Sequence, residues 1–520
     1  MGINETPAGV RVPSIRKWAL TSGLLLACGG SPSNPAGPSQ SQRLPETPAP
    51  GSPSANPAPG GDGASPSPSS EVPALPVGLS GGNPTPAGDA PGATPVPPAV
   101  EPCVVSLQSA RVSEVIPTVG IVEWSTNRAG VEGARIDFGL DTSYGMSAPV
   151  DLAEPSYRTL LLGMKAGRQY HYRIVAQSVG LECASADLTL TTGPLANDLP
   201  DIETTASNRP AQAGGFLMTG RYVRQGGGAG GGSAPAYVLD ADGDFVWWYR
   251  IDADVTNARM SYDGKWMWIS AANVPETQGS NVHRVSMDGL IDQDLSDEFE
   301  GQNHQFAVLP DETVAFFAYG QNGCDDIKER SPDGTVRTLI NARTAHGAAG
   351  DCHVNYLEYS PEDDTLIFSD LDHDNYTKVT RQGDVVWVLG GPTNDYTGAG
   401  SSWSRQHGID VLGLNRILIF NNGGLGGGNN SSLALELELN LSARTTSIAW
   451  QYAAMPGIQN QVMGDVQRLA NGNTVVAYST QGVLHEVDPG GDVVRELTWG
   501  LGGAYGYLVQ RPTLYGAPPR

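Results

Sequence analysis

Three histidines in this sequence fall at the same phase of a repeated pattern. His304 opens GQNHQFAVLPDETVAFFAYG, His353 opens DCHVNYLEYSPEDDTLIFSD, and His407 opens SSWSRQHGIDVLGLNRILIFNN. In each case the histidine precedes an alternating strand, a turn and a second strand, and the starts lie roughly fifty residues apart. A repeat superposes its equivalent positions around a common axis, so these side chains are expected to converge. Near neutral pH an imidazole can act as nucleophile, as general acid or base, or as metal ligand. The residues alone leave these roles open. A three-histidine zinc site lacks a carboxylate spaced to complete it.

The elements that must position the histidines come from the same repeat. From about Pro200 one hairpin type recurs as YVLDADGDFVWWY, HRVSMDGLIDQDL, KERSPDGTVRTLI, KVTRQGDVVWVLG, LELELNLSARTTSIAWQY and LHEVDPGGDVVRELTWG. Each turns at a DG, QG, GG or Asn-containing tip, as tight hairpins prefer. Paired-strand segments alternate with them, from GGFLMTGRYV to DVQRLANGNTVVAYS. Four strands per unit, six times over, predict an all-β chain with a six-bladed β-propeller over residues 197–520. The innermost strands of such a fold line a central channel, and His304, His353 and His407 are expected at one mouth of it. The Gly-rich loops 226–232 and 423–428 contain GxG patterns without a βαβ context, which argues against phosphate cradling.

Upstream, residues 101–196 read as an N-terminal antiparallel β-sandwich of short alternating strands such as VGIVEWST, GARIDFGL and QYHYRIVAQSV. The stretch resembles a fibronectin type III domain, through Trp124, Leu162 ahead of the AGRQYHYRIVA strand, and the closing TLTTGP. That resemblance implies a spacer or docking module. His171 alternates between Tyr170 and Tyr172 and is expected to be structural.

Residues 29–100 are nearly all Pro, Ser, Ala and Gly, and offer too few apolar side chains to offset the entropy of ordering. They are expected to form a tether with a reach of ~45 Å. Ahead of it, Arg11, Arg16 and Lys17 precede an apolar run ending in Leu25-Leu26-Ala27-Cys28. A basic start, a short apolar run and small residues before a cysteine describe an export signal. It resembles a bacterial lipoprotein signal over residues 1–28, which implies lipidation at Cys28 and a membrane-anchored place in the cell envelope, with the outer membrane favoured. The remaining cysteines are even in number, and in an oxidising compartment pairing within each domain is the economical choice. The expected bridges are Cys103 with Cys183 and Cys324 with Cys352. With 55 acidic against 31 basic residues and a formal charge of -24, the chain lacks the basic footprint of a nucleic-acid binder.

The propeller resembles the arylsulfate sulfotransferase family, bacterial enzymes that use no nucleotide sulfate donor. The elements that carry the resemblance are NHQFAVLP, CHVNYLEY, KVTRQGDVVWVLGG, SWSRQHGIDVL, the IFNNG that follows, and YGYLVQRPTLYG. It implies a ping-pong transfer without a cofactor, from a phenolic sulfate ester to a phenol. His407 would take the sulfuryl group as sulfohistidine, while His304 and His353 would donate to sulfate oxygens or relay the phenolic proton. Asn355, Gln406, Trp403 and Arg405 are the implied substrate contacts. Trp403, Phe306, Phe420 and Tyr356 could supply an aromatic wall.

One departure stands out. Where the family carries an arginine after the second strand, this chain has Leu371, within Ser369-Asp370-Leu371-Asp372-His373-Asp374. Either Arg405, Lys378 or another residue replaces that cation, or the propeller has lost catalysis and binds a glycan, peptide or metal ion instead. The Asp370-Asp372-Asp374 run matches half of a calcium loop, but position twelve is Arg381, so it fails as an EF-hand. Asp240, Asp242 and Asp244 are expected as turn residues, and His283, His346 and His485 as structural or solvent-facing.

Overall fold

The computed structural model describes residues 102–178, 180–221, 234–271, 281–423, 431–500 and 504–518. The expectations for Cys28, for the tether 29–100 and for nearly all of both Gly-rich loops lie outside the described residues.

The repeat folds into a succession of small antiparallel sheets, the architecture of a β-propeller. Asn257–Met260, Gln302–Val308, Val354–Ser360, Ile409–Gly413 and Asp465–Arg468 each lead a sheet, and each packs against the leading strand of the next. Burial follows the radial position. The second strand Thr365–Asp370 is buried along its whole length, since it is covered on both faces, whereas the outer strands Asp292–Asp294 and Val336–Asn341 are exposed or half-exposed.

Both ends of the repeat are completed from a distance. The paired strand expected within GGFLMTGRYV is instead a single strand, Phe216–Thr219, and its inner partner is Val509–Arg511 from the far end of the chain. The last sheet gains an extra outer strand, Ile202–Ser207, beside Val493–Trp499. Gln467 then stitches last sheet to first, its side-chain amide donating to the Gln510 carbonyl at 2.9 Å and accepting from the Gln510 backbone amide at 2.7 Å. A sheet edge carries unpaired backbone groups, and closure satisfies them. Sequence periodicity cannot register this pairing because its partners lie at opposite ends of the repeat.

Ahead of the propeller, two antiparallel sheets share a core of Trp124, Ile136, Phe138, Tyr170, Tyr172 and Ile174. One holds Val105–Val112, Gly120–Thr126 and Thr159–Leu161, and the other is built around Val131–Gly139 and Gln169–Ser178. The module is not loosely strung. Ile116, Val119 and Leu162 enter the same apolar cluster as Val238, Trp247 and Met287 of the propeller. Ser113 donates to the Asp288 carbonyl at 2.6 Å, and Thr118 to that of Val246 at 2.8 Å. His171 stays within the module, on Asp187 at 2.8 Å. Cys103 bonds Cys183, and Cys324 bonds Cys352.

Candidate active site

His304 sits at a β-bulge between Asn303 and Phe306 and holds a left-handed backbone, φ 50°. A bulge re-aims one side chain, and a left-handed non-glycine residue persists only where its surroundings over-determine it. Here they do. The His304 carbonyl accepts from Asn257 Nδ2 at 2.7 Å and from Gln302 Nε2 at 3.1 Å. Nδ1 lies 2.8 Å from Asn303 Oδ1, and Asn303 Nδ2 donates to Asp325 Oδ1 at 3.1 Å. With its donor end held by a carboxylate, Asn303 must turn its oxygen to the ring, so Nδ1 carries the proton and Nε2 the lone pair. Nothing among the described residues hydrogen-bonds Nε2. Burial, with His353 and His407 adding, holds this imidazole well below its ordinary pKa and therefore neutral.

His353 is exposed, and its ring centroid lies 5.1 Å from that of His304, at 61°. Only its backbone is tied, the amide donating to Asp370 Oδ1 at 3.0 Å and the carbonyl accepting from Leu371 N at 2.9 Å. The neighbouring Cys324–Cys352 bridge pins the loop that presents it. Neither ring nitrogen has a hydrogen bond among the described residues.

His407 is buried and oriented like His304, by an asparagine. Asn422 donates through Nδ2 to the carbonyls of Asn460 and Met463, both at 2.7 Å, so its Oδ1 faces His407 Nδ1 at 2.9 Å. Nδ1 again carries the proton. Nε2, however, accepts the Met463 amide at 3.0 Å. Burial, reinforced by His353 and Arg405 against the Asn422 bond, takes His407 down to about 4.

The other expected contacts are placed differently. Gln406 is fully buried and donates to the carbonyls of Asp370 and Asn375, both at 2.9 Å. Asn355 is also fully buried, donates to the Gln406 carbonyl at 2.9 Å and accepts from Ser369. These are struts between neighbouring sheets. Trp403 packs in the core against Tyr376, and Phe306, Phe420 and Tyr356 are likewise buried. Lys378 is spent on Asp363 at 2.8 Å, inside its sheet. Arg405 is half-buried, with its amide on Asp374 at 2.7 Å, and its charge acts on His407.

A second histidine cluster, unforeseen in the sequence, supports the first. Asp370 Oδ2 lies 3.0 Å from His346 Nε2 and 2.8 Å from His373 Nδ1. Burial works to raise the Asp370 pKa, but the bonds from His346, the His353 amide and His373 outweigh it and hold it low. Burial likewise opposes charge on His373, yet Asp370 and the Ala349 carbonyl, 3.1 Å from Nε2, raise its pKa. Asp370, His346, His373 and Cys352 are close enough to hold a metal ion. Their protons argue otherwise. His346 Nδ1 accepts the Ala348 amide at 3.0 Å, so its Nε2 carries hydrogen toward Asp370, and Cys352 is tied in its disulfide. The cluster fits an ionic clamp behind His353. The Asp240, Asp242 and Asp244 carboxylates similarly surround Lys165 Nζ, at 2.6 to 3.1 Å.

Farther along the inner strands lies a cavity of about 180 Å³, lined by Arg259, Tyr262, Phe306, Tyr356, Glu358 and Asp410. Burial raises Glu358 to about 8 and Asp410 to about 6.

In fold the chain is similar to TolB from Acinetobacter baumannii, at 11% identity and TM-score 0.40, covering 67% of this chain and 80% of that one. It is similar also to a streptogramin B lyase (12%, 0.36, 60% and 98%) and to the β-propeller domain of Cps50 (Swd1) from Myceliophteria thermophila (12%, 0.36, 59% and 91%). No curated protein matches it in sequence. Residues 324–500, which contain His353 and His407 but not His304, match the family model described as Arylsulfotransferase (ASST).

Proposed function

We propose that this protein moves a sulfuryl group from a phenolic sulfate ester to a phenol, through a sulfohistidine formed at the His304–His353–His407 mouth. The observation that carries the reading is the ring contact of His304 with His353 at 5.1 Å, with His407 close enough to act on His304 electrostatically and both His304 and His407 held neutral by burial, in a chain that matches the family model over residues 324–500. A neutral imidazole is a competent nucleophile, and charge developing on sulfate oxygens must meet fixed donors. Arg405, whose charge acts on His407, would supply the cation that Leu371 does not. His353, exposed beside His304, relays the phenolic proton.

The test is direct. Purified protein given p-nitrophenyl sulfate should release nitrophenol, and should do so faster when a phenol acceptor is added. No release across a panel of aryl sulfates would end this reading. Leu371 motivates the rival, a propeller that binds a glycan or peptide at the same mouth without turnover. Calorimetric binding of such a ligand to a protein inert toward every donor would support it.

Lipidation of Cys28 would hold the enzyme at the cell envelope, with residues 29–100 as spacer. The expectation is a membrane-fraction protein that Cys28→Ser sends to the soluble fraction.

A further inference from the structure

We infer that the cavity farther along the inner strands is a binding site for a small aromatic oxyanion, a carboxylate or sulfonate on a single ring, held by Arg259 and Arg511. None of the three histidines lines it, so the inference stands apart from the transfer reading.

Three arginines are buried among the described residues, and only two of them meet an acid. Arg330 pairs with Glu298 at 2.6 Å, and Arg495 with Glu486 at 3.1 Å. Arg511 has no carboxylate within ion-pair reach among the described residues. Its Nη1 donates to the Ser261 carbonyl at 3.2 Å and its Nη2 to that of Gly516, while Nε is buried without a partner. Burial brings its pKa down to about 10, and Tyr262 and Asp263 offset only part of that pull. Arg259, on Asn257–Met260, is in the same position. Its Nη1 donates to the Leu508 carbonyl at 3.0 Å, its Nη2 is buried and unpartnered, and it makes no ion pair among the described residues. A desolvated guanidinium is costly until an anion meets it, and its fork of donors suits an oxyanion. Here two of them line one cavity.

The remaining wall defines the rest of the ligand. Tyr262, Phe306 and Tyr356 give it aromatic faces. A cavity of ~150 Å³ can house benzene, so about 180 Å³ takes one ring with its charged group. Glu358 and Asp410 also line it, and neither turns it into a cation site. Burial, opposed by Arg259 and reinforced by Asp410 and Asp465, raises Glu358 to about 8, so at neutral pH it is protonated and can donate to an oxyanion. Asp410 already accepts the Arg468 amide at 2.6 Å.

The test is calorimetry on the full-length protein with benzoate and benzenesulfonate, neither of which carries a transferable sulfuryl group. Each should bind as a single equivalent and raise Tm, and benzylamine should do neither. Arg259→Met should weaken benzoate about tenfold or more, and Arg259→Lys, which keeps the charge and the reach to Leu508, about threefold. His353→Ala and Glu358→Gln should both retain binding. The lysine variant keeps the test decisive if the methionine variant does not fold. No saturable binding of either anion, benzylamine bound as tightly as benzoate, or undiminished affinity in Arg259→Lys would overturn the inference. Binding lost in His353→Ala would overturn it too, by placing the anion at the histidine mouth.

Discussion

His304 and His407 are assembled from the same parts. In each, an asparagine fixes the ring by its oxygen because its own nitrogen is committed, to Asp325 at one site and to the carbonyls of Asn460 and Met463 at the other. What separates them is the environment of Nε2. The His304 ring is backed by a carboxylate and opens toward His353, whereas the His407 ring is buried on both nitrogens by the 460–463 segment. Two imidazoles can therefore share an orienting residue and a tautomer and still differ in what faces Nε2. The difference lies in the groups around the ring, which neither its residue type nor its pKa direction reveals.

Substitutions at the His407 end should act on stability, and those at the His304 end on rate. The largest effect is expected from Gly464→Ala. Its Cβ would lie 2.3 Å from Phe420 Cε1, at a φ of 109°, and Met463 beside it carries the capping amide. A loss of about 3 kcal/mol or more, read as a lower Tm by calorimetry, follows from the overlap and the backbone strain. Little change in Tm would mean the segment yields easily, and the contrast between the two rings would weaken. Next, Asn422→Ala removes one of the two donors from each of the buried Asn460 and Met463 carbonyls, together with the bond to His407, and should cost about 1–3 kcal/mol in a urea titration.

The pH dependence sharpens the comparison further. His407 has a folded pKa of about 4, below its unfolded value, so the unfolded chain binds the proton more readily. Its contribution to stability is complete above the ordinary histidine range and is lost as pH falls toward 4. The rate should behave in parallel, since His304 also stays neutral well below its ordinary pKa. Transfer measured as kcat/KM should show no acid limb near pH 6.5. A limb there would mean the reacting imidazole is solvated. The smallest effect is expected from Asn303→Ala, which frees the His304 tautomer without stranding a carbonyl. A loss of about tenfold in kcat with nearly unchanged Tm is the expected outcome.

The contact between His304 and His353 was legible because strand periodicity and hairpin tips place the two at one phase of the repeat. The roles of their neighbours were not. Asn355 and Gln406 flank these histidines in sequence, yet their partners, Ser369, Asp370 and Asn375, decide that they serve as struts. A local signal for the orienting residues did exist, in the Asn next to His304 and the Asn pair closing the His407 segment. Met463 lies too far along the chain to be paired with His407 by eye, and the Asp370 clamp needs His346 from the short helix Ala342–His346. Polar side chains reveal their direction only through such distant partners.

The closing strand Val509–Arg511 also bears on how the site is braced. Tyr507, just before it, donates to the Asn355 carbonyl at 2.7 Å, and Asn355 in turn holds the backbone beside His407. The bracing of Asn355 therefore depends on a strand about 150 residues away in sequence. A chain from which Val509–Arg511 has been removed would have an open inner edge at Phe216–Thr219 and an unbraced Asn355.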